Sequence, residues 1–221
     1  MNAYKYPPLP NPPKYRDVWN SKTMEKSESD NSMGENSQEI YESKTVLFKK
    51  QGLCKEENLN QVWKKEVETV FESHGLSCKL NWDEGKMTVS ATKRTQRTLF
   101  HDIFDRGFNA LSVLACGLGT EWVEPIVSGS VYSEVMYIRI PDGMSQDDFS
   151  SKYQDFIYKF EHKFGLPRKL SCFVLYLEAS VVVLSDKAGS TSTVRNLVLS
   201  CLNDDDPFDE DHFHELFLDD L

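Results

Sequence analysis

The strongest constraint in this sequence is an order of elements that occurs twice. Each time, a helical run leads into two short alternating segments around a tight turn, and a second helical run follows. In the first occurrence Leu59, Val62, Trp63, Val67, Val70 and Phe71 fall at helical spacing until His74-Gly75 ends the run. Leu76, Cys78, Leu80 and Trp82 then alternate with polar residues, Asp83-Glu84-Gly85 turns the chain, and Met87, Val89 and Ala91 alternate again. A polar, basic stretch (Thr92 to Thr98) precedes a helix marked by Leu99, Ile103, Phe104, Phe108, Leu111 and Leu114.

The second occurrence starts with a strand, in which Val131, Val135 and Tyr137 alternate with Tyr132, Met136 and Ile138. Ser145 is the expected N-cap of the next helix, with Asp147 and Asp148 where the helix dipole favours acids. Phe149, Tyr153, Phe156, Ile157, Phe160 and Phe164 form its apolar stripe, which Gly165-Leu166-Pro167 ends. Cys172 to Leu177 and Val181 to Leu184 make a hairpin around Glu178-Ala179-Ser180, and Val194, Leu197, Val198 and Leu202 mark a closing helix. The patterns predict an α/β fold, more narrowly α+β. Two consecutive units, residues 46–127 and 128–203, each pack a small antiparallel or mixed sheet on helices.

Charge is distributed unevenly. Of 35 acids and 25 bases, residues 203–221 hold nine acids and no base and residues 1–45 hold seven acids and six bases, which leaves 19 of each between them. The net charge of −10 thus belongs to the tail, and the body is neutral rather than basic, so composition alone does not announce a phosphate-binding surface. Residues 1–45 are Pro-rich and then Ser/Glu/Asn-rich, cannot bury enough surface to offset their ordering entropy, and are expected to be disordered. Their KYPPLPNPPKY stretch also suits a polyproline II ligand. No apolar run approaches the roughly 20 residues of a membrane span. The N-terminus lacks the apolar core of a signal peptide, so a cytosolic or nuclear protein is expected. The five cysteines (Cys54, Cys78, Cys116, Cys172, Cys201) form no C-x-x-C pair and read as small buried apolar residues.

No catalytic constellation stands out. The sequence has no P-loop, no G-x-S-x-G, no H-E-x-x-H and no Gly-rich dinucleotide turn, so a non-enzymatic protein without cofactor or metal is expected. His212, His214 and Cys201 are the nearest approach to a metal set, and they lie among acids with no ligand spacing.

The β-α-(α)-β-β-α order of the second unit is that of a eukaryotic-type KH domain. In the first, Trp63, Val67, Glu72-Ser73-His74-Gly75-Leu76, Leu80-Asn81 and the run Glu84-Gly85-Lys86-Met87-Thr88-Val89-Ser90-Ala91-Thr92-Lys93-Arg94-Thr95 resemble one family. It is the tandem-KH family of KRR-type small-subunit processome components, to which partner of Nob one is related. The resemblance covers about 145 of the 221 residues and is sharp in the first unit. It implies a nuclear or nucleolar RNA-binding protein of ribosome biogenesis working within a ribonucleoprotein. KH domains grip single-stranded nucleic acid with a GXXG loop, whose glycines let backbone amides approach phosphates. That loop is expected near Tyr158-Lys159-Phe160-Glu161, which holds no glycine, and Gly165-Leu166-Pro167-Arg168 is the nearest alternative. An acidic tail stands where the family carries a lysine-rich one.

Two sets of residues are candidates for contact. Lys79, Lys86, Lys93, Arg94 and Arg97 form the densest basic group and could hold an RNA backbone, although the same residues suit a solvated loop. In the tail, Phe208, Phe213, Leu216, Phe217 and Leu221 are spaced among carboxylates and could enter a protein partner's groove as one helical face. The alternative to an RNA binder is therefore an adaptor of KH fold that recruits proteins through this tail.

Overall fold

Val181-Val182-Val183-Leu184 decides how the two units meet. Successive strand side chains point to opposite sides, so four apolar residues in a row need a strand covered on both faces. The computed structural model describes residues 40–49, 60, 62–95, 100–141, 143–177 and 180–202. In it this segment belongs to a central strand whose six residues, Ser180–Ser185, are all buried.

The first half runs β1 (Ile40–Leu47), α1 (Trp63–Glu68 in wide π-type turns, then Thr69–Ser73), β2 (Leu76–Asn81), β3 (Lys86–Thr92) and α2 (Phe100–Ala115). A single 3-10 turn, Thr120–Trp122, leads into α3 (Val123–Ser128). The second half runs β4 (Tyr132–Tyr137), α4 (Gln146–Tyr158, continued by π-type turns over Lys159–Lys163), α5 (Leu166–Lys169), β5 (Cys172–Leu177), β6 (Ser180–Ser185) and α6 (Ala188–Leu202). Each half builds a three-stranded antiparallel sheet in which the third strand lies between the first and second: β1-β3-β2 and β4-β6-β5. The fold is α+β, two small antiparallel sheets packed on helices.

The expected cap is formed: Ser145 Oγ accepts the Asp148 N–H at 3.1 Å. In the first half α2 lies so close to the sheet that a Cβ on Gly107 would stand 2.7 Å from Leu76 Cδ1. Trp63, Val67, Phe71, Leu76, Met87, Val89, Phe104 and Leu111 make one core, and Val182 and Leu184 of β6 belong to it. Phe149, Tyr153, Phe156, Phe160, Leu166, Val194 and Leu197 make a second, joined by Val181 and Val183. Alternate residues of one strand thus enter different cores. Burying Val182 and Leu184 against the first half contributes about 1.5–3 kcal/mol each. Asn109 on α2 reinforces the contact by donating to the carbonyl of Ser133 on β4 at 3.3 Å.

Three features differ from the sequence expectation. Order, expected from about residue 46, begins among the described residues at Ile40, so the tract 1–45 is not wholly without structure. Strand β1 escapes notice because it is a sheet edge with polar residues. Lys44, for example, lies 5.0 Å from the Phe104 ring centroid and pairs with Asp105 at 2.5 Å. Helix α3 is only six residues long and carries Pro125, too little for a periodic signal. Finally, the expected loop at Tyr158-Lys159-Phe160-Glu161 is helical, and the junction between helices falls at Phe164-Gly165.

Candidate nucleic-acid interface

The motif Thr92-Lys93-Arg94-Thr95 combines a buried knot with a charged rim. The Gly75 carbonyl accepts the Thr92 hydroxyl at 2.6 Å and the Thr95 hydroxyl at 2.5 Å. Thr95 Oγ1 accepts the Thr92 N–H at 2.8 Å, and Thr92 Oγ1 accepts the Arg94 N–H at 3.2 Å. Both threonines are buried, so they tie the end of β3 to the end of α1. Gly75 has a φ of +80, and a Cβ there would meet Arg94 Cγ at 3.2 Å, which restricts the position to glycine. Lys93 and Arg94 are exposed on the rim, where Arg94 Nη1 lies 3.5 Å from the Glu72 carbonyl.

The sequence-adjacent cations do not form one cluster. Lys86 opens β3 and Lys93 follows its last residue, so about 20 Å of strand separates them at about 3.3 Å per residue. Lys79 stands opposite Thr88, on the sheet face turned away from the core. Lys86 pairs with Glu84 at 2.7 Å, and that contact lowers the Glu84 pKa. Lys93 and Arg94 share one end of the sheet, while Lys79 and Lys86 lie on its outer face toward the other. Arg97 and the tail candidates Phe208, Phe213, Leu216, Phe217 and Leu221 lie outside the described residues, as does the Pro-rich head.

A second basic group lies in the other half. Gly165, with a φ of +59, turns the chain from the end of α4 into α5. Lys163, Arg168 and Lys169 surround this turn and are exposed, and among the described residues none of the three pairs with an acid. Neighbouring Lys159 pairs with Asp155 at 3.0 Å. The loop before α6 is laced to the same place. Ser190 Oγ donates to the Leu170 carbonyl at 2.6 Å, Ser185 Oγ donates to the Ser171 carbonyl at 3.1 Å, and Ser185 Oγ accepts the Lys187 N–H at 3.0 Å. Lys187 therefore joins the shelf, with Glu161 and Asp186 as the acids nearest in sequence.

Aromatic side chains are interleaved with these cations. Tyr158 is 60% exposed, with its ring 5.8 Å from that of His162, and Lys163 Nζ lies 5.0 Å from the Phe164 ring centroid. Cations on a turn beside exposed rings can track a phosphate backbone and stack its bases. The signal was present in the sequence as Lys163-Phe164-Gly165-Leu166-Pro167-Arg168-Lys169. Its Gly165-Leu166-Pro167-Arg168 part is the alternative position for the loop, and the turn falls there rather than at Tyr158-Lys159-Phe160-Glu161.

Burial governs the remaining titratable groups. It pushes the Cys172 thiol up to about 11 and raises those of Cys78 and Cys116. It also raises the Glu134 carboxyl, against the opposing pull of Arg195, which donates to it from α6. Among the described residues no group of His, Cys, Asp and Glu could hold a metal ion, and no helix is long and apolar enough to cross a membrane.

The architecture is a KH-like fold with two sheets. No protein-family model matches the chain, and no curated protein matches it. Among solved structures it is similar to Dim2p from Pyrococcus horikoshii OT3, with a TM-score of 0.51 at 11% identity over 80% of this chain and 98% of that one. A protein of unknown function from Aeropyrum pernix has a TM-score of 0.49 at 11% identity over 75% of this chain and 85% of its own. A chain in the a/eIF2alpha-aDim2p-rRNA complex from Pyrococcus horikoshii OT3 has a TM-score of 0.48 at 10% identity over 79% and 92%. The likeness to Dim2p is one of fold, and it takes in nearly the whole of that chain.

Proposed function

We propose that this is a non-enzymatic KH-like protein that binds RNA within a ribonucleoprotein, related to the assembly factors of the small ribosomal subunit. One observation carries the reading. The helix-to-helix turn of the second half, where a KH domain approaches phosphate, presents Lys163, Arg168 and Lys169 beside the exposed ring of Tyr158. Cations here stand in for a full glycine cradle, so the grip is on backbone charge with stacking rather than on base edges. Lys93 and Arg94 supply a second, weaker contact from the first half. The motif resemblance of the first half and the Dim2p-like fold favour ribosome assembly, and the nuclear setting rests on the resemblance alone.

The reading predicts binding of single-stranded RNA that weakens steeply with salt. About four neutralised phosphates give a slope of log K against log salt near −3. Replacing Lys163, Arg168 and Lys169 by Glu should weaken binding by more than about tenfold in fluorescence anisotropy, and Lys93/Arg94/Arg97→Glu by a few-fold. Absence of RNA binding, with capture of protein partners that depends on residues 204–221, would instead establish the adaptor.

A further inference from the structure

The charge of the basic shelf is complementary to that of a segment of its own chain. Residues 203–221 follow α6 directly and hold nine acids, no base, and Phe208, Phe213 and Phe217. The N-terminal end of α6 is fastened to the shelf through Ser190 and Leu170. The helix is 15 residues long, so its other end lies about 22 Å away. Nineteen residues can reach about 60 Å when extended, which returns the segment to the shelf with length to spare.

We infer that residues 204–221 dock in cis on the shelf formed by Lys163, Arg168, Lys169 and Lys187, with the phenylalanines against Tyr158 and Phe164. As a consequence they compete with RNA for that surface; this consequence rests on the RNA-binding reading. Charge selects the occupant, because the segment has only acids and the shelf has cations that no described acid pairs. Tethering supplies the strength. A contact of only about 0.1 mM between separate molecules is occupied about ten to one at an effective concentration of about 1 mM. The segment then acts as a selectivity filter: an RNA with few phosphates in reach does not displace it, and a longer one does.

Two measurements on the full chain test this. Zero-length carbodiimide cross-linking in dilute solution, mapped by mass spectrometry, should join Lys163, Lys169 or Lys187 to acids of 204–220, and the links should fade at about 0.5 M salt. No such links, or links only between separate chains in an isotope-mixed sample, overturn the inference. The full-length Asp204/Asp205/Asp206/Asp209/Asp211→Asn variant should bind single-stranded RNA about tenfold tighter. If the wild type binds RNA and the variant binds no tighter, the inference is overturned. If neither binds RNA while the cross-links form, the RNA reading falls and the cis contact stands.

Discussion

The two sheets share a topology but not an environment, and the difference can be followed row by row. Counting from each hairpin, Thr88 of β3 corresponds to Val182 of β6. Thr88 is flanked by Lys79 and Thr45, and Val182 by Leu175 and Val135. One row further, Ser90 between Ser77 and Ser43 corresponds to Leu184 between Phe173 and Ser133. The first sheet's outer face carries hydroxyls and lysines, with Ser43 and Ser90 hydrogen-bonded at 2.8 Å and Thr45 and Thr88 at 3.0 Å. The same face of the second sheet is apolar because α2 and its neighbours cover it. A sheet of this kind can therefore display its second face or use it to join two halves, and the choice is written in alternate residues of the central strand.

The sharpest way to break this comparison is a charge at the matched positions. Val182→Asp places a carboxylate between the two cores and should cost more than about 4 kcal/mol, enough to unfold a marginal chain, whereas Thr88→Asp should stay within about 1 kcal/mol. Equal losses in denaturant melts would mean that the second sheet's face is not an interior. Next in size, Leu184→Ala should cost about 2–5 kcal/mol and Ser90→Ala about 1 kcal/mol or less. Since Trp63, Trp82 and Trp122 all lie in the first half, the Leu184→Ala loss should shift the tryptophan fluorescence transition together with that of circular dichroism. A fluorescence transition left in place would separate the halves energetically.

The smallest effect concerns thiols. Native Cys78, 7% exposed on the core face of β2, and Cys172, half-buried on β5, have pKa values raised by burial. Unfolded thiols titrate near about 8.5, so above that pH the unfolded chain loses protons that the folded chain keeps, and stability falls as pH rises. At pH 8 both should label more slowly in the native protein than in denaturant, Cys78 the slower, as read by peptide mass spectrometry. Equal native and denatured rates would contradict the burial of both sheets.

Much of the fold was legible because the physics is local. The period of Phe149, Tyr153 and Phe156, the cap at Ser145 and the alternation in β2 and β3 each follow from neighbours in sequence. The polar edge strand β1 and the short α3 were not legible, since long-range pairing and packing hold them in place. The run Val181-Val182-Val183-Leu184 reads in sequence as one strand of a hairpin, and its burial on both faces emerges only from the packing of the two halves. At the candidate site, Lys86 and Lys93 look close because only six residues separate them, and an extended strand carries them to opposite ends. Lys163, Arg168 and Lys169 looked ordinary until the helix junction gathered them at one turn.

The proposed RNA contact lies at the junction of the second half and not on the displayed face of the first sheet. The most direct measurement is photo-cross-linking of a thiouridine-containing single-stranded RNA to the full protein, with the cross-linked peptides mapped by mass spectrometry. The account predicts peptides within residues 158–170 and around Lys187, with weaker signal at Lys93 and Arg94. Cross-links confined to the first sheet's face around Lys79 and Lys86, or none above a salt-quenched control, would contradict it.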